Sequence, residues 1–381
     1  MRTFLTISQL LLAALALLAS GSIHRPIFAQ NKEKKPDSGS SALKPCSSIE
    51  LEAPIASYSA SDNDKIVVMT ENGIVQGLEM ATGQILWKSE LGGLPAAPIA
   101  SGSSAVYVIT NSRGAAENDP SASTLRSLSK QTGVTNWIAK LPPSDNFSLG
   151  IVKNSIFAVS AQGDVSAFIA DSGEQQWVNK LGSEPSSASI FSPDGVVIPL
   201  KGNIAVTLDA EGKQTARLVA GAAITSLHRP ETGKLFIGDE RGNLTLFDPT
   251  SGAVVWKFKS GGAISYITDT KNGVLAGSYD NFLYSIWGYN GDVVWKRRMP
   301  GRIVEGVSEN GSSIALLVYG ERSIFLLEPK KGRILARSEL AERNFLRQTP
   351  IMSGTDIIFV NGSSVLIYTM DKCAVNNTSG S

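Results

Sequence analysis

Seven times along this chain a turn glycine precedes a short run of strand character, at Gly83, Gly133, Gly173, Gly212, Gly252, Gly291 and Gly332. The intervals are 50, 40, 39, 40, 39 and 41 residues. In five of the seven, tryptophan follows four residues later (Trp87, Trp137, Trp177, Trp256 and Trp295), while Ala216 and Ala336 take that place in the others. Trp287 is the one tryptophan outside the pattern. A fixed period of this length means that each unit is a small supersecondary element that buries its apolar faces only against its neighbours. The stretch from Gly233 to Gly262 shows what a unit contains. Apolar runs at Leu235–Ile237, Leu244–Phe247 and Ala253–Phe258 are cut by the turn signals Asp239–Asn243 and Asp248–Gly252. Runs this short, bounded by Gly, Asn, Asp and Pro, read as strands joined by tight hairpins.

No segment carries a sustained helical period with caps, so the fold class is all-β. Four strands per unit of about 40 residues, repeated around an axis, predict a β-propeller. The first strand of each blade (A) lies nearest the axis and the fourth (D) forms the rim. One bulky flat ring per unit suits packing between neighbouring blades, the role assigned to Trp87, Trp137, Trp177, Trp256 and Trp295. After Gly332 the chain supplies one more D strand, then strands at Leu346–Met352, Ile357–Val360 and Val365–Met370 with no fourth to follow. Ser48–Ala56 resembles Lys88–Ala100, the passage from one blade to the next, so residues 46–52 are read as the missing outer strand. Eight four-stranded antiparallel blades result, closed by N-terminal strand pairing in the last one. Cys46 opens that strand and Cys373 follows its neighbour, so a disulfide between them would replace the hairpin that this composite blade lacks.

Residues 1–29 read as a cleaved signal peptide: Arg2, the ten-residue apolar or small run Leu10–Ala19, and the small-residue site ending at Ala29. That run is well short of the roughly 20 residues a spanning helix needs, which leaves no transmembrane segment in the mature chain. The expected location is periplasmic or secreted. Residues 30–45 lack aromatic and β-branched side chains and read as a flexible linker, the propeller occupies 46–373, and 374–381 form a disordered tail. Taking Arg2 and Arg25 from the 35 basic residues leaves 33 against 34 acidic ones. That balance argues against nucleic acid as a general partner.

The repeats carry a resemblance. Asp248–Trp256, Ala81–Trp87 and Gly277–Tyr284 look like the repeats of pyrroloquinoline-quinone (PQQ)-type propellers, over nearly everything from Cys46 to Cys373. The resemblance implies one of two branches. Quinoprotein dehydrogenases hold PQQ on the axis over calcium, with a carboxylate base and often a vicinal cysteine disulfide. The other branch is the non-catalytic BamB-like propellers of outer-membrane assembly, which are usually lipid-anchored. This chain has no adjacent cysteines, no long insertions between blades to wall a quinone site, and no lipidation cysteine near residue 30.

Residue chemistry favours the second branch. Asp164, Asp239 and Asp280 stand near B-to-C turns, where aspartate has an ordinary turn role, whereas calcium needs several converging oxygens. His24 leaves with the signal peptide and His228 stands alone in a strand, so neither a Ser-His-Asp triad nor a Cys/His zinc site is available. No catalytic, cofactor-binding or metal residue is assigned. The expected function is an exported, non-enzymatic, monomeric scaffold for protein partners in the cell envelope. Quinone binding with PQQ and calcium is the alternative. B-to-C and D-to-A connections share one face, and two are enlarged there, Asn111–Ser123 and Leu141–Asn146. Arg297, Arg298, Arg302, Arg322, Arg343 and Arg347 gather on the same face and form the candidate partner-binding rim.

Overall fold

The computed structural model describes residues 41–42, 45–62, 65–80, 82–112, 122–230, 233–271, 273–303, 307–309, 313–318, 323–339, 349–353 and 356–369. Residues 1–29, read above as a signal peptide, residues 374–381, read as a tail, and Cys373 lie outside the described residues. Eight antiparallel sheets follow one another and form an eight-bladed β-propeller. Blade 5 is representative, with strands Ile224–His228, Leu235–Asp239, Asn243–Phe247 and Val254–Lys259 joined in simple up-and-down order.

Burial explains why the middle strands read as unbroken apolar runs. Ser155–Ser160 and Gly195–Leu200 are buried at every residue, because blades cover both of their faces. Outer strands are covered on one face only. Val293–Arg298 alternates exposed and half-buried positions toward its end, with Lys296 and Arg298 turned to solvent. Charged side chains on such an edge discourage pairing with other chains.

The last blade is composite. Its inner three strands are Ile351–Ser353, Asp356–Asn361 and Ser364–Thr369, and its outer strand is Pro45–Glu50. Ser48 pairs with Leu366 and Ile49 with Val365, so the first long strand of the propeller completes its final sheet. The Glu50 carboxylate accepts hydrogen bonds from Ser363 and Ser364, which hold it below the usual glutamate pKa. Cys46, half-buried on this strand, is not a free thiol.

Two features depart from the regular repeat. Ser41 and Ala42, within the stretch read as a linker, pair in parallel with Ala336 and Arg337 and add a short fifth strand to blade 7. An open outer edge offers unpaired backbone groups that an adjacent extended segment can meet. In blade 2 the inner strand is split into Leu94–Pro95 and Ala100–Ser101 around Ala96–Ile99. Proline has no N–H to donate to a ladder, which favours such a break.

Candidate functional site

The five repeat tryptophans all do the same thing in the structure. Each indole Nε1 donates to a backbone carbonyl in the C-to-D turn of the following blade: Trp87 to Lys130 (2.8 Å), Trp137 to Ala170 (2.8 Å), Trp177 to Ala210 (3.1 Å), Trp256 to Gly288 (3.1 Å) and Trp295 to Pro329 (2.8 Å). The ring then lies against the turn glycine of that blade. A Cβ on Gly291, which has φ +80°, would sit 2.7 Å from Trp256 Cε3. The glycine is thus required twice, by its left-handed backbone and by the ring over it. Ile49 takes the tryptophan's place at the ring closure, 2.9 Å from a Cβ on Gly83. Leu218 packs near Gly252 where Ala216 stands, and Tyr368 is buried in one cluster with Ala336.

Tyr58, on the inner strand of blade 1, donates to Thr349 O at 2.8 Å. Thr349 Oγ1 donates to Tyr266 Oη, from the inner strand of blade 6, at 3.3 Å. Side chains from blades 1, 8 and 6 therefore meet inside the ring of inner strands. Burial, with Tyr266 beside it, pushes the Tyr58 phenol well above its ordinary pKa.

The turn aspartates are engaged by local donors. Asp239 Oδ1 accepts from the Arg241 and Asn243 backbone N–H groups at 3.0 and 2.9 Å, and its Oδ2 from Asn243 Nδ2 at 2.6 Å. Asp280 accepts from Phe282 N at 3.0 Å, Gly261 N at 2.8 Å and Tyr284 Oη at 2.6 Å. Asp164 opens a C strand, with its backbone N–H on Ser160 Oγ. Among the described residues, no three His, Cys, Asp or Glu side chains gather in a way that could hold a metal ion. No helix among them is long and apolar enough to cross a membrane. His228 ends the inner strand of blade 5, stacked on Phe236 with centroids 6.3 Å apart, and its Nε2 lies 3.0 Å from Asp269 Oδ1. Sequence reasoning missed that partner, because the two residues come from neighbouring blades.

The arginine rim divides. Arg297 is half-buried, and its Nε donates to Gly332 O of the next blade at 2.7 Å. Ser89 and Asn179, also two residues after a repeat tryptophan, make the matching bond to Gly133 and Gly212. Arg297 is therefore a tie between blades. Arg298 and Arg302 are exposed, and the Arg302 guanidinium lies 5.5 Å from the ring centroid of Tyr279, itself 41% exposed. Arg322, Arg343 and Arg347 lie outside the described residues, as does most of the Asn111–Ser123 connection.

A cavity of about 550 Å³ opens on the same face between blades 3 and 4. Asn146 and Ser148 line it from blade 3, and Glu184, Ser187 and Ser189 from the passage into blade 4. The Ser187 and Ser189 hydroxyls are buried without a hydrogen-bond partner.

A family model for outer membrane protein assembly factor BamB matches residues 48–221 and 200–376. An outer membrane protein assembly factor BamB of Nitrosomonas eutropha is 25% identical over 104 residues, 27% of this chain and 25% of that protein. The chain thus aligns with about a quarter of that relative's length. Among solved structures, BamB from Moraxella catarrhalis matches with a TM-score of 0.66 at 17% identity, over 87% of this chain and 99% of that one. The computationally designed Ika8 protein matches with 0.71 at 14% identity, over 84% and 98%. The C-terminal WD40 domain of Sif2 matches with 0.71 at 13%, over 87% and 99%. Likeness at those identities shows the propeller fold and no more. The family match, in contrast, spans nearly the whole ring, and the chain belongs to the outer membrane protein assembly factor BamB family.

Proposed function

We propose that this protein is an exported, non-enzymatic propeller that holds protein partners during outer-membrane protein assembly in the cell envelope. The observation that carries the reading is the family match, which runs through both halves of the propeller. The tyrosines that meet inside the ring and the turn aspartates bound to backbone N–H groups support it, since they give those groups structural roles. Under this reading the protein needs neither PQQ nor calcium, works as a monomer, and enters the periplasm through the signal sequence of residues 1–29.

The proposed contact surface is the D-to-A connection after blade 6, where Arg298 and Arg302 are exposed beside Tyr279. Arginine and tyrosine are enriched at interfaces, and guanidinium groups suit carboxylate-bearing partners. Co-purification from envelope extracts tests the reading. The wild-type protein is expected to retain an assembly partner, and Arg298→Glu with Arg302→Glu to weaken its capture by about tenfold through lost charge complementarity. Undiminished capture by a folded double variant would remove this surface. Stoichiometric uptake of quinone and calcium, read by absorbance, would overturn the non-enzymatic reading.

A further inference from the structure

The seams between blades are not filled alike. At five of them the indole of a repeat tryptophan covers the turn glycine of the next blade, and Trp87 and Trp256 are only 8% and 7% exposed there. Blade 4 brings Ala216 to the seam it shares with blade 5. It stands in the tryptophan's own register, since Ala216 pairs with Thr207 as Trp295 pairs with Ser285. The receiving turn of blade 5 is nonetheless built like the others. Gly252 N donates to Asp248 O at 2.8 Å and Asp248 N to Ala253 O at 2.9 Å. In blade 7 Gly332 N donates to Glu328 O at 2.9 Å and Glu328 N to Arg333 O at 2.8 Å. Gly252 also keeps the left-handed backbone, with φ +68°.

What covers this turn is different. Ring atoms stand between 2.4 and 2.8 Å from a Cβ on Gly133, Gly173, Gly212, Gly291 and Gly332. On Gly252, apart from its chain neighbours, the one atom within 4 Å is Leu218 Cδ2 at 3.5 Å. Gly252 is exposed, while Gly133, Gly212, Gly291 and Gly332 are buried beneath their rings and Gly173 is half-buried. Leu218 is 2% exposed and belongs to a buried cluster with Val197 and Phe247, so it closes the depth of the seam and leaves the glycine's outer surface open. The acceptor is bare as well. Trp295 donates to Pro329 O, three residues before Gly332, and Pro249 stands three residues before Gly252. Among the described residues no hydrogen bond ends on Pro249 O.

The other seams define the ligand. An open glycine face, apolar neighbours at Ala216 and Leu218, and one unmet carbonyl are the surroundings in which this protein five times seats an indole. A flat apolar ring with a single N–H donor satisfies all three, whereas a phenyl ring leaves the carbonyl unmet. Tryptophan is among the side chains enriched where interfaces concentrate their binding energy. We infer that the seam between blades 4 and 5 is a slot for a tryptophan side chain of a protein partner, with the ring over Gly252 and its N–H donated to Pro249 O. This rests on the scaffold reading for the partner, but the slot lies on the face of the C-to-D turns, opposite the Arg298 and Arg302 connection.

The test uses the full chain and N-acetyl-L-tryptophanamide, followed by titration calorimetry. Wild-type protein is expected to bind the probe saturably. The same probe methylated on the indole nitrogen has no N–H to give, and is expected to bind wild type at least about fivefold more weakly. Ala216→Trp supplies the chain's own ring, and is expected to weaken probe binding by about tenfold or more while raising the melting temperature. Should that variant misfold, the comparison of the two probes on wild type decides alone. No saturable binding by wild type, equal binding of the two probes, or undiminished binding by a folded Ala216→Trp would each overturn the inference. The titration needs no envelope component, so partner capture that survives a failed titration leaves the scaffold reading standing.

Discussion

Burial and charge compete at His228. Its surroundings hold the imidazole below the ordinary pKa, and Asp269 pulls the other way with less effect. The neutral ring is the form the fold prefers, so the unfolded chain takes up a proton first as pH falls. The stability this residue contributes is complete above the ordinary value of about 6.5 and is lost as pH falls through it toward the folded value. Thermal melts are expected to show the midpoint dropping between about pH 7 and about pH 5, with His228→Gln flattening that slope. An unaltered slope in the variant would place the titration elsewhere. The residue itself was legible in sequence as a lone strand histidine, but Asp269 was not, since nothing in a linear reading aligns the ends of two neighbouring inner strands. Arg297 teaches the same lesson with the opposite sign. Its neighbours Arg298 and Arg302 face solvent, yet Arg297 turns inward to Gly332. Alternation along the strand separates it from Arg298.

At the scale of the blade, the repeat glycine and the repeat tryptophan are one device split between two sheets. Gly291→Ala would place a methyl group 2.7 Å from the Trp256 ring and impose a left-handed conformation on alanine. Left-handed backbone alone costs about 1–2 kcal/mol, and the displaced ring adds to that. Trp256→Ala is expected to cost about 3–5 kcal/mol, in the range for truncating a buried aromatic. Because both changes remove one contact, the double variant should lose less than the sum of the singles. Denaturant unfolding measures all three, and strict additivity would refute the pairing. Blade count, the order of the four strands in each blade and the tryptophan positions could all be read from periodicity. The paired tethers at Ser89, Asn179 and Arg297 could not, because three different side chains perform the one role.

For the whole molecule, one strand pairing between the two ends of the propeller closes the ring. Pro45–Glu50 lies against Ser364–Thr369, and Ile49 caps the turn of the first blade as tryptophans do elsewhere. A covalent tie from Cys46 to Cys373 would span the entire propeller. The chain-entropy account assigns a loop of that size on the order of 5 kcal/mol, as an upper figure. Cys46→Ser is expected to lower the denaturation midpoint. Thiol labelling of the denatured, unreduced wild type should find no accessible thiol, and two labelled thiols would refute the Cys46–Cys373 bond.

The amino-acid order by itself determined the all-β class, the eight blades and the strand that closes the ring. Those follow from local turn chemistry and from a period that repeats every unit. Tertiary structure alone decided which side chains face one another across blades: His228 with Asp269, Tyr58 with Thr349 and Tyr266, Ser189 with Ser148. The physical reason is the ring itself, because it brings together residues from different blades, some separated by most of the chain. No local propensity encodes such a meeting.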